Sequence, residues 1–111
     1  MSDLKLEELT EEQVCFQMIL HSGNARSKVL QALRLYREGD IEKVNEMLTD
    51  AEDDLSLVHK VHFQLVQQEA AGQQRQELSL LFLHAEDHFM STLTMKEMVK
   101  EMIPIFQELK S

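Results

Sequence analysis

The chain has 111 residues, 43% of them hydrophobic, and a formal net charge of −9 at pH 7, which predicts one domain over residues 1–111. An acidic chain without a cluster of lysine and arginine repels phosphate backbones, which argues against a nucleic acid as the partner. No apolar run is long enough to span a membrane, and the N-terminal residues lack the apolar segment of a secretory signal, so we expect a cytoplasmic protein.

The first predicted helix covers about residues 10–38. It begins at Thr10, where "TEEQ" forms a capping box, and it ends at Gly39. Gly23 interrupts the helix at a cost of about 1 kcal/mol relative to alanine, so we expect a close approach of another backbone to offset it. Cys15, the only cysteine, cannot form an internal disulfide, and without basic neighbours it is interpreted as a structural thiol. The apolar positions at helical spacing are Val14, Met18, Ala25, Val29, Ala32, Leu33 and Tyr36.

The second predicted helix covers about residues 41–70, between the capping residue Asp40 and Gly72. His62 lies in its apolar stripe, which predicts a buried histidine with a satisfied hydrogen bond; His59 precedes it on the same helix. The stripe consists of Ile41, Val44, Met47, Leu48, Ala51, Leu55, Val58, His62, Leu65 and Val66. The opposite face is acidic and is interpreted as a solvated surface, with Glu42, Glu46, Asp50, Asp53 and Asp54.

The third predicted helix, about residues 78–109, has apolar residues on more than one face. Leu80 to Leu83 point in four directions on a wheel of about 100° per residue. A helix that is apolar nearly all round is buried nearly all round, and two neighbouring helices cannot cover every face of it. The pattern therefore predicts an all-α, antiparallel three-helix bundle that associates with other copies of itself. Pro104 near the end should bend the helix.

The stretch "LHAEDHFMS", residues 83–91, holds the candidate functional residues. His84 and His88 are four residues apart and share one face with Ser91. Asp87 is turned away by about 60° into the apolar stripe of this helix. A buried carboxylate needs a proton, a basic partner or a metal, and carboxylate oxygens favour Mg²⁺, Ca²⁺ or Mn²⁺.

Three interpretations of the histidine pair are open. The first is a structural pair that is hydrogen-bonded at a helix surface. The second is a zinc site of a metal-dependent hydrolase, but Ala85 stands where the "HExxH" pattern needs glutamate, and no third ligand is evident. The third is nucleophilic catalysis, because a neutral imidazole can attack a phosphoryl group and form phosphohistidine.

"LHAEDHFMS" resembles the signature H-A-Q-D-H-L-M-T of the enzyme IIA components of the lactose/cellobiose class of the bacterial phosphoenolpyruvate-dependent sugar phosphotransferase system. "SGNARS", residues 22–27, is similar to A-G-D-A-R-S in the first helix of that family. Residues 59–69 are similar to its H-x-x-Q-T-x-L-I region. The resemblance covers nearly the whole chain, and the motif of the third helix is its most specific part.

This resemblance implies a fold, a site and partners. The fold is a three-helix subunit that assembles as a homotrimer of nine helices. His84 is the phosphoryl acceptor, His88 supports it with a hydrogen bond, and Asp87 binds one structural Mg²⁺ per trimer at the threefold axis. The phosphoryl group comes from the histidine phosphocarrier protein and goes to a cysteine of enzyme IIB, while the IIC permease takes up the sugar. Lactose, cellobiose, chitobiose and other β-glucosides all remain open as that sugar.

Two departures from the family pattern bear on function. Glu86 replaces the usual glutamine and adds a negative charge beside the acceptor; if it faces the phosphate, transfer is weakened. The alternative function is a non-catalytic, helical, oligomeric regulatory or binding module with a structural histidine pair. In the second helix, His62 replaces glutamine and Phe63 replaces threonine, and neither change removes the acceptor.

Overall fold

The computed structural model describes residues 8–73 and 79–110, which form three α-helices. These are α1 (Glu11–Glu38), α2 (Ile41–Ala70) and α3 (Leu80–Lys110). The predicted all-α class is confirmed, and the bounds of the first two helices differ by at most one residue. The predicted start of the third helix at Leu78 lies outside the described residues.

Local signals determine where the helices begin and end. The Thr10 hydroxyl accepts a hydrogen bond from the Gln13 backbone at 3.1 Å, and the Gln13 side chain accepts one from the Thr10 backbone at 3.0 Å, which completes the predicted capping box. Gly39 ends α1 in the left-handed conformation, with φ of 85°, and Asp40 then caps α2. Only these two residues separate α1 from α2. Ser79 caps α3 by accepting from the Phe82 backbone at 3.1 Å, a contact that the sequence patterns did not indicate.

The core lies between the inner faces of the three helices. Most of the predicted apolar positions of α1 and α2 are buried. Ile41 and Val66, predicted in the stripe of α2, are instead 37% and 47% exposed. Ile41 is the first residue of α2, and Val66 is turned by about 100° from its buried neighbour Leu65. Val61 is buried in addition. His62 is half-buried rather than buried, with 18% of its side chain exposed.

Helix α3 is apolar on two opposite faces. Its buried face consists of Ala85, Phe89, Thr92, Val99 and Ile103. Its exposed apolar face, called here the outer stripe, consists of Leu80, Leu83, Met90, Met98, Ile105 and Leu109. A rotation of about 100° per residue puts the outer stripe on the side away from α1 and α2. Within residues 8–73 and 79–110, no helix is both long enough and apolar enough to cross a membrane.

Candidate functional site

His84 and His88 form a ring pair on the first half of α3. Their ring centroids are 5.9 Å apart. His84 is exposed, whereas His88 is half-buried. The two side chains that share a face in the sequence therefore have different surroundings: His84 is open to a reactant, and His88 lies deeper.

His88 packs beside Gly23 of α1. The Nε2 atom of His88 is 3.7 Å from the position that a Cβ atom on Gly23 would occupy. The prediction that another backbone approaches Gly23 is wrong, because the nearest group is this imidazole ring. The contact brings "SGNARS" of α1 against "LHAEDHFMS" of α3, so the two segments that carry the family resemblance meet in space. The spacing within either segment could not indicate this pairing.

Glu86 points to α2 and not to the face of His84. The Nε2–H group of His62 donates a hydrogen bond to Oε1 of Glu86. Side chains two positions apart on a helix differ in direction by about 200°, so Glu86 and His84 lie on nearly opposite sides of α3. The departures from the family pattern at positions 62 and 86 are therefore partners of each other. Sequence reasoning treated them separately and missed this contact.

Asp87 is exposed and lies among residues of the outer stripe. In one chain its carboxylate is hydrated, so the predicted desolvation arises only if another molecule covers this face. In the part of the chain that the structure describes, no group of three or more His, Cys, Asp or Glu side chains is arranged to hold a metal ion. A cation at Asp87 would therefore need oxygen ligands from further copies of the chain, and the zinc interpretation of His84 and His88 still lacks a third ligand.

Other reactive side chains are paired or buried. Cys15 is 3% exposed, and burial, with smaller contributions from the carboxylates of Glu11 and Glu12, raises the pKa of its thiol. A raised thiol pKa suppresses the nucleophilic thiolate, in agreement with a structural role. Between α1 and α2, the Asp54 carboxylate accepts hydrogen bonds from Nδ1 of His21 at 3.0 Å and from the ammonium of Lys28 at 2.7 Å.

The geometry around His84 suits group transfer between proteins. An exposed neutral imidazole has a lone pair that can attack an electrophile, and a second imidazole beside it can donate a hydrogen bond to the group that is transferred. The site lies on the outer surface of a rigid helix, so a partner protein can reach it without a conformational change in the chain.

Comparisons with known proteins show the family to which the chain belongs. A family model for "PTS system, lactose/cellobiose specific IIA subunit" matches residues 13–107. The chain is 51% identical over 107 residues to the oligo-β-mannoside-specific EIIA component of Bacillus subtilis (strain 168), with 96% of each chain covered. It is 40% identical over 98 residues to the lichenan-specific enzyme IIA component of the same strain, with 88% of each chain covered. The crystal structure of the cellobiose-specific enzyme IIA from Bacillus anthracis matches with a TM-score of 0.82 and 36% identity, over 92% of this chain and 94% of that one. The chain therefore belongs to the family of lactose/cellobiose-specific IIA subunits of the sugar phosphotransferase system, whose members are phosphotransferases.

Proposed function

We propose that this protein is a cytoplasmic phosphoryl carrier that accepts phosphate on His84 from the histidine phosphocarrier protein and passes it to a cysteine of enzyme IIB. The observation that supports this most directly is the exposed His84 ring beside His88, within the motif that the family shares. The IIC permease of the same system would take up the sugar, so the protein meets the membrane only through its partners.

The proposed reaction needs positioning and charge stabilisation more than covalent assistance. A lone pair on an imidazole nitrogen of His84 forms a bond to phosphorus while the bond between phosphorus and the carrier's histidine nitrogen breaks. In the second transfer a sulfur–phosphorus bond forms on enzyme IIB, and the electrons of the breaking bond return to His84. His88 would donate a hydrogen bond to a phosphoryl oxygen and stabilise its charge.

We also propose that three copies assemble through the outer stripe of α3. A long apolar face opposite a buried face loses contact with water only when another molecule covers it. Three parallel copies of α3 would bring three Asp87 carboxylates together, where they would repel one another. Carboxylate oxygens are the ligands that Mg²⁺ prefers, so one structural Mg²⁺ per homotrimer of nine helices would fit this donor set.

The sugar is a disaccharide or a related β-linked oligosaccharide in this proposal. The relative that is 51% identical is named for oligo-β-mannosides, and other relatives are named for lichenan, lactose and N,N'-diacetylchitobiose. An oligo-β-mannoside is therefore the first substrate to test with the enzyme IIB and IIC components that belong with this chain.

A phosphorylation assay tests the proposed function. The purified chain is incubated with phosphoenolpyruvate, enzyme I and the phosphocarrier, and its intact mass is measured before and after brief acid treatment. We expect one added phosphoryl group that acid removes, because the phosphorus–nitrogen bond of phosphohistidine is acid-labile. A chain that stays unlabelled, while a known IIA subunit in the same mixture is labelled, would instead be the non-catalytic binding module.

A further inference from the structure

The acceptor motif contains a negative charge on the far side of α3 from His84, and the field of this charge still reaches an incoming phosphoryl group. Glu86 lies two residues after His84, and the transferred phosphoryl group is itself an anion. An unpaired carboxylate about 10 Å from a dianion at a protein surface would slow transfer by about three- to tenfold. The motif therefore works best if this carboxylate is directed away from His84 and paired with a donor.

His62 of α2 supplies that donor. Its Nε2–H group donates to Oε1 of Glu86 across the groove between α2 and α3. The exposed fraction is only 18% for the His62 side chain and 34% for the Glu86 side chain, so the contact is shielded from bulk water. A partly shielded hydrogen bond to a carboxylate is stronger than one in full solvent.

The core holds the His62 ring in place. Its centroid is 5.3 Å from that of Phe89, which is 1% exposed. Phe89 is the residue after His88, so the ring that orients His62 belongs to the same turn of α3 as the proposed site. The His62 ring therefore packs against the core residue Phe89 and donates to Glu86 of α3.

We propose that His62 is a positioning residue for phosphoryl transfer: it holds the Glu86 carboxylate against α2 and reduces the negative charge that the acceptor motif presents to phosphate. This inference rests on the proposed function of His84. It explains how a glutamate is tolerated where the family pattern has glutamine, and it assigns a role to a second-helix histidine that itself does not touch the phosphoryl group.

The test compares initial rates of phosphorylation from the phosphocarrier for four proteins: the wild type, His62→Leu, Glu86→Gln, and the double variant. Leucine has no hydrogen-bond donor, so it leaves the Glu86 carboxylate without this partner. We expect His62→Leu to be about three- to tenfold slower, because the freed carboxylate repels the phosphoryl group. Glu86→Gln should be at least as fast as wild type. The double variant should match Glu86→Gln, because the loss of His62 has no effect once the charge is gone. Added salt should reduce the ratio between wild type and His62→Leu, because it screens the repulsion.

Controls separate charge positioning from packing. His59→Gln changes the neighbouring histidine of α2, which stacks on Phe63, and should keep the wild-type rate. Circular dichroism monitors folding. If His62→Leu does not fold, His62→Lys takes its place, and its ammonium group can still donate to Glu86, so the rate should stay within about twofold of wild type.

Several results would overturn the inference. These are a wild-type rate in His62→Leu, an equal loss in His62→Leu and in the double variant, or a tenfold loss in a folded His62→Lys. A wild-type chain that accepts no phosphate would instead refute the proposed function itself, and the inference would fall with it.

Discussion

His84 and His88 differ in exposure, and this difference distinguishes two residues that spacing alone leaves equivalent as candidate nucleophiles. His84 is exposed, whereas His88 is half-buried with its Nε2 atom toward Gly23. A nucleophile that must meet a second protein needs access, and a supporting donor needs a fixed position more than access. The exposure therefore agrees with the roles that the family motif implies.

Substitution of each histidine by alanine tests these roles. His84→Ala should abolish phosphorylation, because no other group replaces the nucleophile. His88→Ala should still accept phosphate, but about ten- to a hundredfold more slowly, since a hydrogen bond to a charged oxygen contributes about 1 to 3 kcal/mol when it forms in the transition state. The measurement is the initial rate of phosphate incorporation, with circular dichroism to check folding. An active His84→Ala beside an inactive His88→Ala would show that the roles are exchanged.

On the scale of the helices, Gly23 and Gly39 differ in whether their positions tolerate a side chain. Gly23 lies in the middle of α1, and the nearest atom to an added Cβ would be at the ordinary contact distance of 3.7 Å. Gly39 has a φ of 85°, a conformation that a residue with a Cβ rarely adopts. The same substitution should therefore have opposite effects at the two positions.

Gly23→Ala should raise the free energy of unfolding by about 0.5 to 1 kcal/mol, because alanine favours the helix and reduces the entropy of the unfolded chain. Gly39→Ala should lower it by about 1 kcal/mol, because the left-handed conformation is strained for alanine. Urea unfolding of the two variants at equal protein concentration measures both changes. A destabilised Gly23→Ala would mean that the methyl group displaces His88, and its phosphorylation rate would then also fall.

Helices α2 and α3 are linked by an ion-pair cluster with a defined pH dependence. Glu52 of α2 accepts a hydrogen bond from Lys100 at 2.9 Å, and Lys96 lies 3.6 Å from the same oxygen. The hydrogen bond from Lys100, with the charges of both lysines, holds the pKa of Glu52 below its usual value of 4.5. A carboxyl group whose pKa is lower in the folded than in the unfolded state stabilises the fold at pH values above its unfolded-state pKa. This stabilisation is lost as the pH falls through its folded-state pKa.

Glu52→Gln should therefore destabilise the fold at pH 7 by about 0.5 kcal/mol, a small effect because the side chain is 38% exposed. The difference from wild type should decrease as the pH falls from 7 toward 3, because protonation of Glu52 in the folded state removes its ion pairs with the two lysines. Urea unfolding at pH 7 and pH 3 measures this difference in the free energy of unfolding. Glu46→Gln on the exposed face of α2 is the matched control. A difference that persists at pH 3 would indicate lost packing rather than lost charge.

The helices were predictable to the extent that their signals are local. Thr10, Gly39 and Asp40 act on residues within one turn, so the sequence was sufficient to place these ends. The exposure of Val66 and the contact between His62 and Glu86 depend on which helix lies opposite, and spacing along one helix does not contain that information. For the same reason the sequence identified His84 and His88 as candidates but could not indicate that Gly23 of α1 lies beside them.

On the scale of the whole molecule, the outer stripe of α3 is the feature that a single chain leaves exposed. Leu80 is 85% exposed and Leu109 is 79% exposed, at opposite ends of one continuous face. An apolar face along a whole helix is typical of an interface between subunits. Asp87 is a carboxylate on this face beside the proposed site, so its effect on assembly tests both the proposed trimer and the proposed metal.

Asp87→Leu should keep or strengthen the trimer, because leucine removes the repulsion between carboxylates on the axis and the need for a cation. Sedimentation equilibrium at micromolar concentration, with and without a chelator, measures the association. We expect chelation to weaken the wild-type trimer and to leave Asp87→Leu unchanged. A wild-type chain that is a stable monomer at this concentration would refute the trimer, and strong dissociation of Asp87→Leu would show that the carboxylate makes an essential contact.

The two-residue connection between α1 and α2 has a consequence for synthesis on the ribosome. Because only Gly39 and Asp40 separate these helices, they can pair through contacts that are close in sequence, and such contacts form quickly. Helix α3 follows later and carries both His84 and the outer stripe. A nascent chain that has released α1 and α2 but not α3 can therefore pair its first two helices, whereas neither phosphate acceptance nor subunit association is yet possible. Both capacities are gained only when α3 emerges and packs against that pair.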